Sequence, residues 1–490
     1  MQTSAILLAF SGLALQSVNA VPTRTSEQQA QEQRRQLLDD VTNAVGKLGD
    51  DLSNAVGGVL GQLLGSDGVL TSVLNTVDQA AEGQLASPVS SVLDGLSSVV
   101  PVATQTDVSQ ASATLSSIFN ASPTPTNLYA EIAQIAAAGL TDDNLGDLVN
   151  YVEDGLTGEA STQNSNTRQP SITVYPKASS KDAPYDISED KLRGAIYIPD
   201  TFQYGREGAP QPIILFPGTG ANGYTTFKGN YIPLLQGSQI ADPVWVNVPD
   251  LLLDDAQGNA EYIAYAINYI YGISNKRKVA VAAWSQGNIN TQWAYKYWPS
   301  TRTKVTDHIA FSPDYHGTNL ANLIASPGEP LPPSVLQQEY NSNFITTLRN
   351  NNGASSYVPT TTIYSGFFDE IVEPQQGTGA SAFINNARNA GASNSEVQTV
   401  CNGQVAGTFY THEGILYNPL GFALLKDALA HDGVGQTSRL DLGSVCSTYL
   451  TQGLDLADFL ITENAIAIAG VGILLYPDPV ATEPAIKSMC

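Results

Sequence analysis

The chain has 490 residues, 42% apolar and only 14% charged, a composition that excludes an intrinsically disordered protein and supports a large buried core. Its 46 Asp and Glu outnumber 22 Lys and Arg, and the net charge of −24 repels nucleic acid and anionic membrane surfaces. Such a surface suits an acidic external medium, or serves solubility alone, and at roughly 150 residues per domain the length fits two domains once a large sheet is allowed for.

Residues 1–20 read as a secretory leader. Ala5-Ile-Leu-Leu-Ala-Phe10 is apolar, and Val18-Asn-Ala20 is a small-x-small cleavage site. Residues 21–36 are polar and Gln-rich, and Arg34-Arg35 marks them as a candidate propeptide. From Leu37 to Leu74, Leu and Val recur at helical spacing, and Asn43-Ala-Val-Gly46 returns eleven positions later as Asn54-Ala-Val-Gly57. Three helical turns take about eleven residues, so the copy keeps its face. Such glycine-rich helices are weak alone and need a partner surface, either the rest of the chain or a lipid–water interface.

Ser87 to Ser122 reads as a loose Ser/Thr/Val-rich connection carrying the sequon Asn120-Ala-Ser122. Helices are predicted over Asn127–Leu140 and Thr141–Leu156, the second with Thr141 as N-cap and Asp142 and Asp143 in its first turn. Gly158 to Pro170 is a polar linker and the expected main domain boundary. It separates a helical, low-complexity N-terminal region (37–170) from a C-terminal domain (171–490).

After Ser171 strands alternate with helices. Strands are predicted at Ile172–Tyr175, Gly194–Ile198, Pro212–Phe216, Val244–Val248, Lys278–Ala283, Lys304–Ser312, Val358–Ser365 and Val397–Cys401, with a helix over Asn259–Tyr271. Buried apolar strands separated by helices imply a mostly parallel sheet covered on both faces, with its site at the strand C-termini. The longest later apolar run, Ala465 to Tyr476, falls short of the roughly 20 residues that span a bilayer. The chain is therefore expected to be exported, without an integral membrane span and as a monomer. Of three cysteines, Cys401 and Cys446 are the expected disulfide, since Cys490 is the last residue. No C-x-x-C or H-x-x-x-H spacing suggests a metal, and no cofactor is expected.

Three strand ends carry chemistry. Val279-Ala-Val-Ala-Ala-Trp-Ser-Gln-Gly287 is an apolar strand entering a tight turn before a helix. That is the nucleophile-elbow pattern G-x-S-x-G with Ala283 in the first Gly position. It lifts the Ser285 hydroxyl and leaves the Gln286 N–H free to face an oxyanion. Alone, S-x-G is a common accident. The strand ending at Phe216 leads into Pro217-Gly-Thr-Gly220, where Thr219 offers an N–H and a hydroxyl; the bland reading is a Gly-rich turn. Asp369 in Gly366-Phe-Phe-Asp-Glu370 is a candidate orienting acid, with Asp314 in Ser312-Pro-Asp-Tyr-His316 its rival; either could be a turn aspartate. His412 in Phe409-Tyr-Thr-His-Glu-Gly414 is the candidate base, and His431 reads as a helix-end cation. The order Ser285, Asp369, His412 is nucleophile, acid, base.

These stretches resemble the Candida antarctica lipase B family between about Ile213 and Leu450. The matching residues are Phe216-Pro-Gly-Thr-Gly220, Ala283-Trp-Ser-Gln-Gly287 with Gln292-Trp293 and Pro299-Ser300, Phe311-Ser-Pro-Asp-Tyr315, Val358-Pro-Thr-Thr361, Asp369-Glu-Ile-Val372 and Thr411-His-Glu-Gly414. The resemblance implies an α/β-hydrolase fold, preceded here by a smaller helical region. It implies Ser285 as nucleophile, His412 as base, Asp369 as orienting acid and an oxyanion hole from Thr219 and Gln286. It also implies a pocket touched by Trp284, Asp314 and Gln338, and the Cys401–Cys446 disulfide. Leu331-Pro-Pro-Ser-Val-Leu336 and Ala465 to Tyr476 fall where the family builds a lid and a pocket wall. Ala283, Asn288 and Ala221 depart from the family's Thr, Gly and Thr, which bears on substrate preference more than on the reaction. The expected function is that of a secreted serine hydrolase of fatty-acid esters. The alternatives are a hydrolase of polyesters or amides, and an amphiphilic surface protein with the hydrolase fold as scaffold.

Overall fold

The computed structural model describes residues 88–120, 127–153, 156–319 and 330–487. The leader, Arg34-Arg35, the repeat over Leu37 to Leu74, Ala121 and Ser122 of the sequon, and Cys490 lie outside the described residues.

Among the described residues the sheet has seven strands. They are β1 (Ile196–Tyr197), β2 (Gln211–Phe216), β3 (Ala241–Val246), β4 (Val279–Trp284), β5 (Val305–Phe311), β6 (Thr360–Tyr364) and β7 (Ala392–Glu396). Their order is β1-β3-β2-β4-β5-β6-β7. β1 runs antiparallel to β3, and every other pairing is parallel. The helices that matter for the site are α1 (Pro88–Ser97), α2 (Val108–Asn120), α3 (Leu128–Ala137), α4 (Leu145–Glu153), α5 (Ala256–Ile273), α6 (Gln286–Tyr297), α7 (Pro419–Ala430) and α8 (Leu456–Leu475).

All of β4 is buried, as a continuous apolar run covered on both faces must be. Successive side chains point to opposite faces. Ile214 and Phe216 of β2 and Val279, Val281 and Ala283 of β4 share a core with Ile263 and Ile267 of α5 and Ile289 and Trp293 of α6. On the other face Phe311 meets Tyr231 at a ring distance of 4.7 Å, and Tyr231 meets Phe422 of α7 at 6.2 Å. Helices on both faces of a mostly parallel sheet, preceded by a smaller helical region, make this an α/β-hydrolase fold.

Register decides where the site forms. Phe216 pairs with Ala283, Trp284 with Phe311, and Phe311 with Ile363. The residues that follow β2, β4, β5 and β6 therefore emerge side by side along one edge.

Four sequence expectations differ from what forms. The helix predicted from Thr141 begins at Leu145, where Asn144 Oδ1 accepts from the Asp147 N–H at 3.0 Å, while the Thr141 hydroxyl donates to the Asp143 carbonyl. Ser87 to Ser122 is not a loose connection: it holds α1 and α2, whose Val92, Leu96, Ala111, Leu115 and Ile118 are buried. Their polar faces mask a helical apolar stripe that only tertiary packing reveals. Ile172–Tyr175 is not a strand; Ser171 bonds to the Gly272 carbonyl at 2.9 Å, so this segment lies against the end of α5. The last strand is Ala392–Glu396 rather than Val397–Cys401, where Val397–Val400 is a helical turn. β7 is a largely half-buried edge strand, so it needs no apolar run.

The helices α1, α3 and α4 pack on α8. Every residue of α3 is buried, and Ile132 fills the notch left by the missing side chain of Gly470. The Asp142 N–H donates to Asn464 Oδ1 at 3.1 Å, and Phe119 lies 5.2 Å from Phe409. The Glu159 carbonyl accepts from Trp245 Nε1 and Asn247 Nδ2, both at 2.8 Å, so the polar stretch after Gly158 lies along the sheet. α8 extends well before Ala465 and is long and apolar enough to cross a bilayer, yet 72% of its apolar window is buried inside the fold. It is a core helix packed by the N-terminal helices on one side.

Cys401 and Cys446 are bonded, with Cα atoms 5.4 Å apart and 45 positions between them in sequence. The bridge closes the loop that contains His412. Chain-entropy arithmetic for a loop of that length gives about 4 kcal/mol as an upper figure. Replacing both cysteines by serine is expected to lower the thermal midpoint by several degrees; an unchanged calorimetric midpoint would show that the loop is held by packing alone.

Candidate active site

Ser285 stands between β4 and α6 with φ 51 and ψ −129, a left-handed setting for a residue with a β-carbon. Two glycines make room for it. A Cβ on Gly287 would strike the Pro217 carbonyl oxygen, and one on Gly218 would come within 2.9 Å of Ser285 Cβ. The β2 loop and the elbow are therefore in direct contact.

His412 is held from four directions. Its Nδ1 lies 2.9 Å from Asp369 Oδ2 and 3.0 Å from Oδ1. Its backbone N–H donates to the Glu370 carboxylate at 3.0 and 3.2 Å. Its carbonyl accepts from Trp284 Nε1 at 3.2 Å and Ser312 Oγ at 3.1 Å. The carboxylate at Nδ1 assigns the ring proton to that nitrogen. Nε2 is then the bare, basic nitrogen, buried and without a hydrogen-bond partner among the described residues. The Trp284 ring packs 5.0 Å from the imidazole, which brings His412 beside the segment carrying Ser285. Asp369 is fixed in turn, its Oδ1 accepting from the Ile371 N–H at 3.2 Å and the Val372 N–H at 2.7 Å.

Neither rival takes over the role of its counterpart, although Asp314 lies close enough to feel the charges of both His412 and Asp369. Asp314 makes no hydrogen bond to His412; both its carboxyl oxygens are buried without partners, and burial pushes its pKa up to about 7. His431 ends α7, with Nδ1 2.8 Å from the Asp427 carbonyl. The Thr219 hydroxyl lies 2.9 Å from both Gln286 Oε1 and Gln338 Oε1. It has one proton for two acceptors, so it is a donor already poised to switch partners. Gln338 Nε2 donates to Gln286 Oε1 at 3.1 Å, and Gln286 Nε2 to the Leu252 carbonyl at 3.0 Å. As the first residue of α6, Gln286 has a backbone N–H with no intrahelical acceptor. The stretch from Leu331 to Leu336 enters the helix Pro333–Gln337, and Leu331 pairs with Val480. Among the described residues no group of three or more His, Cys, Asp or Glu is placed to hold a metal ion.

Sequence reasoning missed the carboxylates behind His412. Glu370, Glu413 and Glu463 are buried together, and Glu131 of α3 faces all three. Burial pushes Glu370 and Glu413 well above the carboxylate range and Glu463 up to about 8. The Tyr417 hydroxyl donates to Glu463 Oε1 at 2.9 Å. Neighbouring carboxyls in such a site stay together by sharing a proton. The adjacency of Asp369 and Glu370 is visible in the sequence; the long-range partners are not.

No family model matches the chain. It is 35% identical over 285 residues to lipase B of Pseudozyma antarctica, an alignment covering 57% of this chain and 77% of that protein. The crystal structure of Aspergillus fumigatus lipase B aligns with a TM-score of 0.77 at 41% identity, covering 85% of this chain and 99% of that one.

The buried acids set the sign of the pH dependence. Burial pushes Asp314 and Glu463 up to about 7 and about 8, against 3.8 and 4.5 for the free carboxyls, so between these limits the folded state holds the extra protons. Stability is then lost as pH rises through that window. His308 and His316, lowered by burial to about 3 and 4, act oppositely but only below the 6.5 of a free imidazole. The thermal midpoint is expected to fall between pH 6.5 and 8, and Glu463→Gln to flatten that fall. A midpoint rising over this interval would contradict the assignment.

Proposed function

Since the chain belongs to the lipase B family and is a carboxylic ester hydrolase, we propose that Ser285, His412 and Asp369 carry its reaction through an acyl-enzyme. The observation that carries this reading is His412, with Nδ1 on Asp369 and Nε2 bare beside the elbow. Ser285 Oγ attacks the ester carbonyl carbon while His412 Nε2 takes its proton. The carbonyl π pair moves to oxygen, and the oxyanion is met by the Gln286 N–H and by the N–H and hydroxyl of Thr219. Collapse expels the alcohol, which takes the proton from Nε2 and leaves the acyl group on Ser285. Water then attacks the acyl carbon, again giving its proton to His412. The second tetrahedral species releases the carboxylic acid and restores the serine. Asp369 keeps the imidazole in the needed tautomer and pairs with the imidazolium.

The substrates are fatty-acid esters, a reading supported by the names of the two relatives and by the apolar helix α8 beside the β2 loop. Gly220 has φ +69, and a Cβ there would lie 2.5 Å from Ala469 Cα, so that loop runs directly on α8. Export fits the leader over residues 1–20 and the Cys401–Cys446 bridge, which persists in oxidising compartments.

Ser285→Ala should lower hydrolysis of a short soluble ester by a factor on the order of 10⁵ or more, with the fold intact. Thr219→Val should lower kcat by about 10²-fold with little change in KM. Substantial turnover by Ser285→Ala would sink the triad. Turnover of an emulsified long-chain triglyceride by the parent protein separates a lipase from an esterase limited to soluble substrates.

A further inference from the structure

A second hydrogen-bond ring, made of groups that take no part in the chemistry, grips the elbow. The Ser285 N–H donates to the Phe311 carbonyl at 2.9 Å, and the Asn288 N–H donates to the Ser285 carbonyl at 2.9 Å. Asn288 Nδ2 then donates to both of these carbonyls, to Ser285 at 3.0 Å and to Phe311 at 3.1 Å. Asn288 Oδ1 lies 3.0 Å from His308 Nε2. Both side chains are fully buried.

Proton counting fixes the arrangement. Two carbonyls on one side of the Asn288 amide require its NH₂ there, so the oxygen faces His308. An amide oxygen only accepts, so His308 must carry its proton on Nε2. Its Nδ1 is then bare, in keeping with its lack of a partner. Burial lowers the His308 pKa to about 3, which keeps the ring neutral in this tautomer. His308 belongs to β5 and pairs with Val281 of β4, so the ring ties the start of α6 to both strands.

The consequence lies in one peptide plane. The Ser285 carbonyl and the Gln286 N–H are the two ends of the same rigid unit, pointing in opposite directions. Fixing the carbonyl oxygen fixes the direction of the N–H. We infer that Asn288 and His308 are positioning residues that aim the Gln286 N–H at the reacting carbonyl by clamping the far end of its peptide plane. This rests on the reading of Ser285 as nucleophile and the Gln286 N–H as oxyanion donor. Neither residue touches substrate, so their loss should weaken the transition state and spare ground-state binding.

The test is kcat and KM on a soluble p-nitrophenyl ester, per active site titrated with a p-nitrophenyl phosphonate, well below each variant's thermal midpoint. Asn288→Ala is expected to lose roughly tenfold or more in kcat, with KM within about twofold of the parent value. His308→Leu should lose several-fold, and His308→Gln, which keeps an N–H donor near the Nε2 position, should recover most of that loss. Because the two act as a unit, the double variant Asn288→Ala/His308→Leu should be no slower than Asn288→Ala within about a factor of two. Unchanged kcat in Asn288→Ala, or losses that multiply in the double variant, overturns the inference. Should Asn288→Ala fail to fold, the His308 pair decides: equal kcat for the Gln and Leu variants overturns it. The titration separates the two readings. A phosphonate attached to a residue other than Ser285 refutes the triad, whereas labelled Ser285 with unmoved kcat refutes only the positioning role.

Discussion

The left-handed backbone at Ser285 is the constraint to which the surrounding structure answers. A residue with a β-carbon at φ 51 and ψ −129 sits outside the allowed regions, at a cost of order 1–3 kcal/mol. Such a setting persists only where neighbours over-determine it. Here β4 is fully buried, Gly218 and Gly287 leave the space their Cβ atoms would fill, and β5 supplies the Phe311 carbonyl for the Ser285 N–H. Parallel register then brings the ends of β2, β5 and β6 alongside. The site is thus a property of the sheet as much as of the residues that face a substrate.

Much of this was legible in the sequence because it is local. The strands at Gln211–Phe216 and Val279–Trp284 announce themselves as short apolar runs and those at Val305–Phe311 and Thr360–Tyr364 by β-branched and aromatic residues, and the elbow, the Gly-rich loop and Asp369 follow their ends. The Asp369–His412 pairing followed from chain order and from the scarcity of histidine. What escaped is what distance and burial create. Nothing around Asn288 or His308 hints that they meet, since one opens a helix and the other lies within a strand. β7 was misplaced because a largely half-buried edge strand can be polar, and α1 and α2 because serines are interspersed among the residues that pack.

Net charge was a poor guide to the interior. A chain with 46 acidic residues would be expected to keep them in water, yet Glu370, Glu413, Glu463 and Asp314 are buried around the histidine loop. Two of the four have plain structural duties: Glu370 receives the His412 backbone N–H, and Glu463 the Tyr417 hydroxyl. Glu131 faces three of these acids from α3, so the N-terminal helices share their most polar buried region with the segment that carries the histidine.

The pairing of α3 and α4 with α8 also sets an order of events. Asp142 and Asn464 bond across 322 positions of chain. During synthesis the N-terminal helices are made long before the helix that completes their core, and contacts at that separation form last. Until then the segment must neither collapse on itself nor capture a wrong partner. In α1 and α2 a serine-rich, weakly helical composition is suited to that wait: too little intrinsic order to commit early, and enough of an apolar stripe to dock once the rest of the core arrives.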